Sequence, residues 1–149
     1  MLKIGEKLPD FSGINQDGNL IHSKDLIEKK LIIFFYPKAN TPTCTIEACN
    51  LSDNYSKLKK AGYQLLGISA DSAKRQKSFR DKFAFPYDLI ADENHEIIEK
   101  FGVWKMKKTF GKEYLGIVRT TFIFDEKGVC TRVIDKVTSK TAAEQILGN

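Results

Sequence analysis

The chain has 149 residues, with 24 Lys and Arg against 19 Asp and Glu, a formal surplus of five positive charges. This length predicts a single domain covering residues 1–149, which can bury a core without disulfides or a metal. The longest apolar run, Leu31 to Tyr36, is too short to cross a bilayer, and residues 1–7 contain no apolar signal core. We therefore expect a cytoplasmic protein without a membrane partner.

Hydrophobic periodicities alternate between strand and helix along the chain. Near the N-terminus, the Asp17-Gly18 pair indicates a hairpin, and Ser23 is expected to cap a short helix over Asp25 to Glu28. The other predicted elements are, in order, a central strand over Leu31 to Tyr36, a helix from Pro42 to about Ala61 ended by Gly62, a strand over Tyr63 to Ile68, a helix capped by Ser72 and running through Phe83, a short strand over Asp88 to Ala91, a helix capped by Asn94 and running to Phe101, a hairpin of strands Val118 to Phe124 and Val129 to Asp135, and a final helix over about Lys140 to Leu147. This order predicts an α/β fold with a central mixed sheet flanked by helices on both faces.

The positive charges are spread along the sequence, which favours an ordinary solvated surface. Steering of an acidic protein partner or of a nucleic acid is the alternative. The densest basic stretch, Lys105 to Lys112, is expected to form a short loop. Because this stretch lacks a recognisable nucleic-acid motif, we expect no nucleic-acid partner.

Cys44 is a candidate nucleophile at the start of the helix that follows the central strand. Thr41 is expected to be the N-cap and Pro42 the first helical residue, which makes Cys44 the third. In a first turn, unpaired N–H groups and the positive end of the helix dipole lower the pKa of a thiol. From spacing alone, Cys44 is either a nucleophile or an inert core cysteine.

The three cysteines, an odd number at low density, do not form the pattern of a secreted disulfide scaffold. They suit a reducing compartment. Cys130 lies in a predicted hairpin strand and is expected to be a small apolar filler. His22 and His95 are far apart in the sequence and lack a cluster of further ligands, so we expect no metal site.

Pro37, Thr41 and Cys44 match the pattern Pro-x-x-x-Thr-x-x-Cys, and Cys49 follows five positions after Cys44. This arrangement resembles the peroxiredoxins, and most closely their Q-type class, also called bacterioferritin comigratory protein. The similarity covers nearly the whole chain and continues through the segments Leu66 to Ser69, Phe101 to Trp104, Gly111 to Arg119 and Thr121 to Phe122. One departure is Thr43, where this class usually has glycine, so we expect a stiffer turn into the helix.

The resemblance implies a thioredoxin-like fold and a thiol peroxidase that reduces hydrogen peroxide and organic hydroperoxides without a cofactor. It implies that Cys44 becomes a sulfenic acid and that Cys49 resolves this acid as an intramolecular disulfide. Thioredoxin or a similar dithiol would then reduce the disulfide. Thr41 is expected to serve as the N-cap and also to hold the peroxide through its hydroxyl. Pro37 either only ends the strand or also keeps water away from the thiolate.

Arg119 lies at the start of a predicted strand, in the segment Gly116 to Thr121, and a lone arginine at a strand end is usually a surface charge. The resemblance instead implies the catalytic arginine of the family, whose guanidinium stabilises the thiolate and the negative charge that develops during the reaction. Glu47 lies one helical turn past Cys44. It either orients this arginine or is an ordinary acidic residue of a first turn.

Two other functions stay open at this point. A thioredoxin-like disulfide reductase normally uses Cys-x-x-Cys, and the wider spacing of Cys44 and Cys49 argues against that activity. A non-catalytic redox sensor would use the same disulfide as a switch.

Helix geometry predicts that the two cysteines lie on different faces. The stripe that faces the protein interior contains Cys44, Ala48, Leu51, Tyr55 and Leu58. In an intact helix, Cys49 would lie about 140° around from Cys44, with their Cα atoms about 8.6 Å apart. A disulfide needs Cα atoms about 4.4 to 6.8 Å apart, so the first turns must unwind after oxidation. Because this resolution occurs within one chain, we expect a monomer.

Overall fold

The computed structural model describes residues 1–148, except for the side chain of Thr109. The strands are β1 Ser12–Asn15, β2 Leu20–His22, β3 Lys30–Phe35, β4 Tyr63–Ser69, β5 Asp88–Ala91, β6 Trp104–Thr109, β7 Lys112–Ile117, β8 Thr120–Phe124 and β9 Cys130–Ile134. The helices are α1 Pro42–Asp53, α2 Tyr55–Lys60, α3 Ala73–Phe83, α4 Glu96–Phe101 and α5 Ala142–Leu147, with short 3-10 helices at Ser23–Leu26 and Ser139–Thr141.

Seven of these strands form one sheet in the order β2-β1-β5-β4-β3-β8-β9. Strands β3, β4 and β5 are parallel, whereas β1 pairs with β5 and β8 with β3 in the antiparallel direction. The prediction of a central mixed sheet is therefore confirmed. Strands β6 and β7 form a separate two-stranded sheet.

The core occupies both faces of the large sheet because successive side chains of β3 point to opposite faces. Ile32 and Phe34 pack with residues of α1, α2, α3 and α5. Ile33 and Phe35 pack with residues of α4 on the other face. Helices on both faces are thus confirmed. Within residues 1–148, no helix is long and apolar enough to span a membrane.

The prediction of one continuous helix over residues 42–61 is wrong. Helix α1 ends at Asp53 and α2 begins at Tyr55, with Asn54 between them at φ −104° and ψ 9°. The side-chain Nδ2 of Asn54 donates to the carbonyl oxygen of Asn50 at 2.8 Å. The Asn54 N–H donates to the same oxygen at 3.2 Å, so this acceptor is shared between a side chain and the backbone at the break between the two helices. Gly62 follows α2 at φ +92°, the left-handed conformation expected of it.

Ser72 caps α3 as predicted, but two other predicted caps are wrong. Ser23 is the first residue of its 3-10 helix, and its hydroxyl oxygen accepts a hydrogen bond from the N–H of Phe11 at 2.9 Å. His95, not Asn94, precedes α4. The Asp92 carboxylate accepts from the N–H of Ile98 at 2.7 Å, so this earlier side chain supplies the partner that a cap would have supplied.

The prediction of a loop over Lys105 to Lys112 is also wrong, because this stretch lies in the β6–β7 hairpin. Phe110 and Gly111 form its turn at φ +52° and +78°. Met106 lies between Lys105 and Lys107, so polar and apolar residues alternate there as they do in a strand. The high content of lysine made this alternation hard to recognise.

Candidate active site

The carboxyl end of β3 leads through a short loop into α1, which begins at Pro42 with Thr41 as the N-cap residue. Both positions agree with the sequence prediction. The Thr41 side chain, however, makes no capping hydrogen bond. Its hydroxyl instead donates to the carbonyl oxygen of Lys38 at 2.7 Å within the loop. The hydroxyl therefore stabilises the loop and leaves the N–H groups of the first turn of α1 without a partner from Thr41.

Cys44, the third residue of α1, is brought together with Arg119 by the fold. The Arg119 Nη2 donates to the Cys44 Sγ at 3.1 Å. Arg119 lies in the short connection between β7 and β8, and β8 pairs directly with β3. The arginine and the cysteine thus meet because the strand after the arginine is the neighbour of the strand before the cysteine.

Glu47 completes this group from the next turn of α1. Its carboxylate accepts from Arg119 Nη1 at 2.5 Å, while its second oxygen, Oε2, is buried without a hydrogen-bond partner. Burial raises the pKa of Glu47 to about 7, and Arg119 opposes this shift. Burial alone would lower the pKa of Arg119, but Glu47 and Cys44 raise it above its usual range. The guanidinium is therefore a fixed cation between a carboxylate and a sulfur.

A buried polar network, which the sequence analysis missed, fixes the loop before α1. The Asp71 carboxylate accepts from the Ala39 N–H at 2.7 Å and from the Ser69 hydroxyl at 2.6 Å. Gln76 donates to the same Ser69 oxygen at 2.8 Å and accepts from the Tyr36 hydroxyl at 2.5 Å. The loop is consequently held at Tyr36 and again at Ala39. Polar residues directly after the buried strand β4 were the available signal, because ligand sites collect at the carboxyl ends of parallel strands.

Cys49 lies on the same uninterrupted helix as Cys44, and both thiols are free. Cys49 is half-buried, and burial, followed by the nearby Asp53, raises the pKa of its thiol. Between the two cysteines, the carbonyl oxygen of Ala48 accepts from the buried Tyr87 hydroxyl at 2.7 Å. This contact anchors the middle of α1 to the core.

The remaining predicted residues occupy distinct places. Pro37 is half-buried at the first position of the loop, directly after Tyr36. Thr43, where a glycine was expected from the resemblance, is exposed as the second residue of α1. Cys130 belongs to the core cluster on the opposite face of the sheet from Cys44. The sheet therefore separates this third cysteine from the other two.

Comparisons with known proteins show which family the chain belongs to. The family model described as AhpC/TSA family matches residues 4–133. Peroxiredoxin Bcp of Escherichia coli K12 is 42% identical over 134 residues, covering 90% of this chain and 86% of that protein. Peroxiredoxin Bcp of Bacillus subtilis is 36% identical over 146 residues, covering 98% of this chain and 93% of that protein.

A solved structure of the Xanthomonas campestris bacterioferritin comigratory protein, described in connection with its alkyl peroxide reduction activity, superposes with a TM-score of 0.86. The sequence identity is 31%, and the match covers 92% of this chain and 87% of that one. This similarity confirms the predicted thioredoxin-like fold. The chain therefore belongs to the AhpC/TSA family, in the Q-type class of peroxiredoxins that its cysteine motif predicted.

Proposed function

We propose that the protein is a thiol peroxidase that reduces hydrogen peroxide and organic hydroperoxides with Cys44 as its nucleophile. The observation that carries this proposal is the 3.1 Å hydrogen bond from Arg119 to the Cys44 sulfur at the first turn of a helix. A cation and a helix N-terminus both favour the thiolate, which is the reactive form. The alkyl peroxide reduction named for the Xanthomonas relative supports organic hydroperoxides as substrates.

In the first step, the Cys44 thiolate attacks one oxygen of the peroxide. A sulfur–oxygen bond forms, the oxygen–oxygen bond breaks, and the second oxygen leaves and takes up a proton as water or an alcohol. Cys44 is oxidised to a sulfenic acid. The guanidinium of Arg119, oriented by Glu47, stabilises the negative charge on the departing oxygen.

Three groups would hold the peroxide in line. The N–H groups of Thr43 and Cys44 point out of the helix start, where the Thr41 side chain leaves them available. The Thr41 hydroxyl contacts the substrate after it gives up its bond to Lys38. Pro37 shields the thiolate from water.

In the second step, the Cys49 thiol attacks the sulfenic sulfur of Cys44, and a disulfide and one water are formed. Both residues belong to α1, so the helix must unwind between them before their sulfurs can bond. The Tyr87 contact to Ala48 must break in this motion. Amide hydrogen exchange over residues 43–51 should be markedly faster in the oxidised protein than in the reduced one, and equal protection would contradict this step.

In the third step, a protein dithiol such as thioredoxin reduces the disulfide to two thiols and is itself oxidised to a disulfide. Because nucleophile and resolving thiol share one helix, a monomer is sufficient for the whole cycle. The need for a dithiol donor supports a reducing compartment, such as the cytoplasm, as the location of the protein.

The decisive test is mass analysis under non-reducing conditions after one equivalent of peroxide. The wild type should lose two hydrogens and yield a peptide pair linked through Cys44 and Cys49. Cys130→Ser should behave identically and serves as the matched control. An unreactive Cys44, or a bond to Cys130, would contradict the proposed cycle.

A further inference from the structure

The β6–β7 hairpin, residues 104–117, forms an arm outside the seven-stranded sheet. Trp104 pairs with Ile117 at its base, and Thr109 pairs with Lys112 next to the turn. An isolated pair of strands is marginally stable in water. The outer part of this arm nevertheless exposes large apolar side chains, with Met106 60%, Leu115 55% and Phe110 fully accessible.

One face of the arm carries a continuous apolar stripe. Residues paired directly across antiparallel strands share a face, and the next pair on that face lies two residues away. The pair Met106–Leu115 therefore extends the face of Trp104–Ile117 outward from the protein. Ile117 is buried and Trp104 is stacked on His95 at 4.1 Å, so the base is packed while the outer pair is not.

The arm is also basic. Residues 104–117 contain four lysines and one glutamate, so they hold three of the five surplus positive charges of the protein. Three of the lysines, Lys105, Lys108 and Lys112, are exposed. Lys108 lies on the apolar face, beyond Met106 and opposite Glu113, whereas Lys105 and Lys112 belong to the other face of the arm. The arm as a whole thus combines an apolar stripe with a net positive charge, which is complementary to an apolar surface bordered by carboxylates.

The base of the arm adjoins the candidate active site. Strand β7 ends at Ile117, two residues before Arg119, so the Cα atoms of these residues are within about 7 Å. The Val118 N–H donates to the Val103 carbonyl at 2.8 Å, which fixes the base to the core. From this base, the arm extends about 17 Å along β6. A protein bound along the arm would reach the region of Cys44.

We propose that this arm is the docking surface for the protein dithiol that reduces the Cys44–Cys49 disulfide. This proposal rests on the function proposed above. The partner has an apolar surface beside its reactive cysteines, surrounded by Asp and Glu. A second copy of this chain fits less well, because two arms would bring two sets of lysines together. A nucleic acid would leave the aliphatic Met106–Leu115 pair without a partner.

The test compares two reductants on one set of variants. Turnover of peroxide is measured with thioredoxin, recycled by its reductase, and separately with dithiothreitol, which needs no docking surface. Met106→Ser combined with Leu115→Ser removes the apolar pair. Leu20→Ser, at an exposed leucine of the edge strand β2, is the matched control.

For the double variant, kcat/KM for thioredoxin should fall about ten-fold or more, while turnover with dithiothreitol stays unchanged. Replacing Lys105, Lys108 and Lys112 together by Glu should lower kcat/KM for thioredoxin and weaken its dependence on salt. Leu20→Ser should match the wild type with both reductants.

Unchanged thioredoxin kinetics in both sets of variants would overturn the proposal. An equal loss with both reductants would also overturn it, because the arm would then only support the fold.

Two other occupants of the arm would be recognised by intact thioredoxin kinetics in the double variant. If sedimentation showed that the wild type is a dimer and the double variant a monomer, the arm would be an interface between copies. Loss of binding to a single-stranded DNA oligonucleotide, again with intact thioredoxin kinetics, would identify a nucleic-acid site instead. A wild type that consumes no peroxide with dithiothreitol would refute the proposed function itself.

Discussion

Cys44 and Cys130 are buried to the same degree, at 2% and 1% exposure, on opposite faces of one sheet. Their surroundings differ. Cys44 lies in the first turn of α1 beside a guanidinium, whereas the Cys130 Sγ donates to the Arg132 carbonyl oxygen at 3.4 Å. Burial raises the pKa of the Cys130 thiol, and the nearby carboxylate of Glu6 raises it further. Two cysteines that are buried to the same degree can therefore differ in reactivity, because the charged groups near each sulfur differ.

The strongest test of the difference between Cys44 and Cys130 is to replace each thiol by a hydroxyl. Cys44→Ser should lower peroxide turnover by at least about a thousand-fold, because a serine hydroxyl is not ionised near neutral pH. Cys130→Ser should stay within a few-fold of the wild type. Peroxide consumption measured with dithiothreitol tests both variants. Retained activity in Cys44→Ser would remove the distinction between the two cysteines.

The second variant asks which other thiol completes the cycle. Cys49→Ser should react with one equivalent of peroxide at the wild-type rate and then stop as a sulfenic acid, since no disulfide forms for thioredoxin to reduce. Further peroxide should convert it to the sulfinic acid, which mass analysis detects. Full thioredoxin-dependent turnover would instead identify Cys130 as a resolving thiol that crosses from the other face.

Arg119→Met makes the surroundings of Cys44 similar to those of Cys130. We expect the second-order rate of the peroxide step to fall about a hundred-fold, because the cation that stabilises both the thiolate and the leaving oxygen is lost. Stopped-flow measurement over a range of pH is the check. Arg119→Lys keeps the charge, but its single nitrogen cannot contact Cys44 and Glu47 as the two guanidinium nitrogens do. The rate of this variant should therefore lie between those of the wild type and Arg119→Met.

The loop network should contribute a smaller effect. Asp71→Ala leaves the Ala39 N–H buried without its acceptor, which costs about 1–3 kcal/mol and loosens the loop that carries Thr41. We expect the peroxide step to slow about ten-fold. Asp81→Ala, an exposed position on α3, is the control and should change neither the rate nor the stability by a similar amount. A stability loss in Asp71→Ala with an unchanged rate would show that the network supports only the fold.

Glu47→Gln should have the smallest effect on the peroxide step, and its effect on the free energy of unfolding should depend on pH. The pKa of Glu47 is raised from 4.5 to about 7 in the folded protein, so the folded state binds the proton more tightly than the unfolded one. The wild type should therefore lose stability relative to Glu47→Gln as pH rises from about 4.5 to about 7, by up to about 3 kcal/mol. Denaturant unfolding at several pH values measures this difference. If the difference in the free energy of unfolding between the two proteins did not change with pH, Glu47 would not titrate in this range.

The sequence alone determined the features that depend on local spacing. The apolar run Leu31 to Tyr36 predicted β3, since a strand buried on both faces must be apolar at every position. Pro42 predicted the start of α1 and so the place of Cys44 in its first turn, because proline is favoured at the first helical position. The motif around these residues also identified the family. The break at Asn54 escaped the prediction, because the helical periodicity continues through it.

Only the tertiary structure decided which distant residues share the site. Arg119 is 75 positions from Cys44, and Asp71 is 32 positions from Ala39, yet both pairs are hydrogen-bonded. These contacts depend on the order of the strands, with β8 and β4 on either side of β3. Local periodicity predicts a strand but not its neighbours, because pairing is chosen by the packing of the whole sheet. The same reason explains why the lysines of residues 105–112 were predicted to form a loop, although the fold places them in two paired strands.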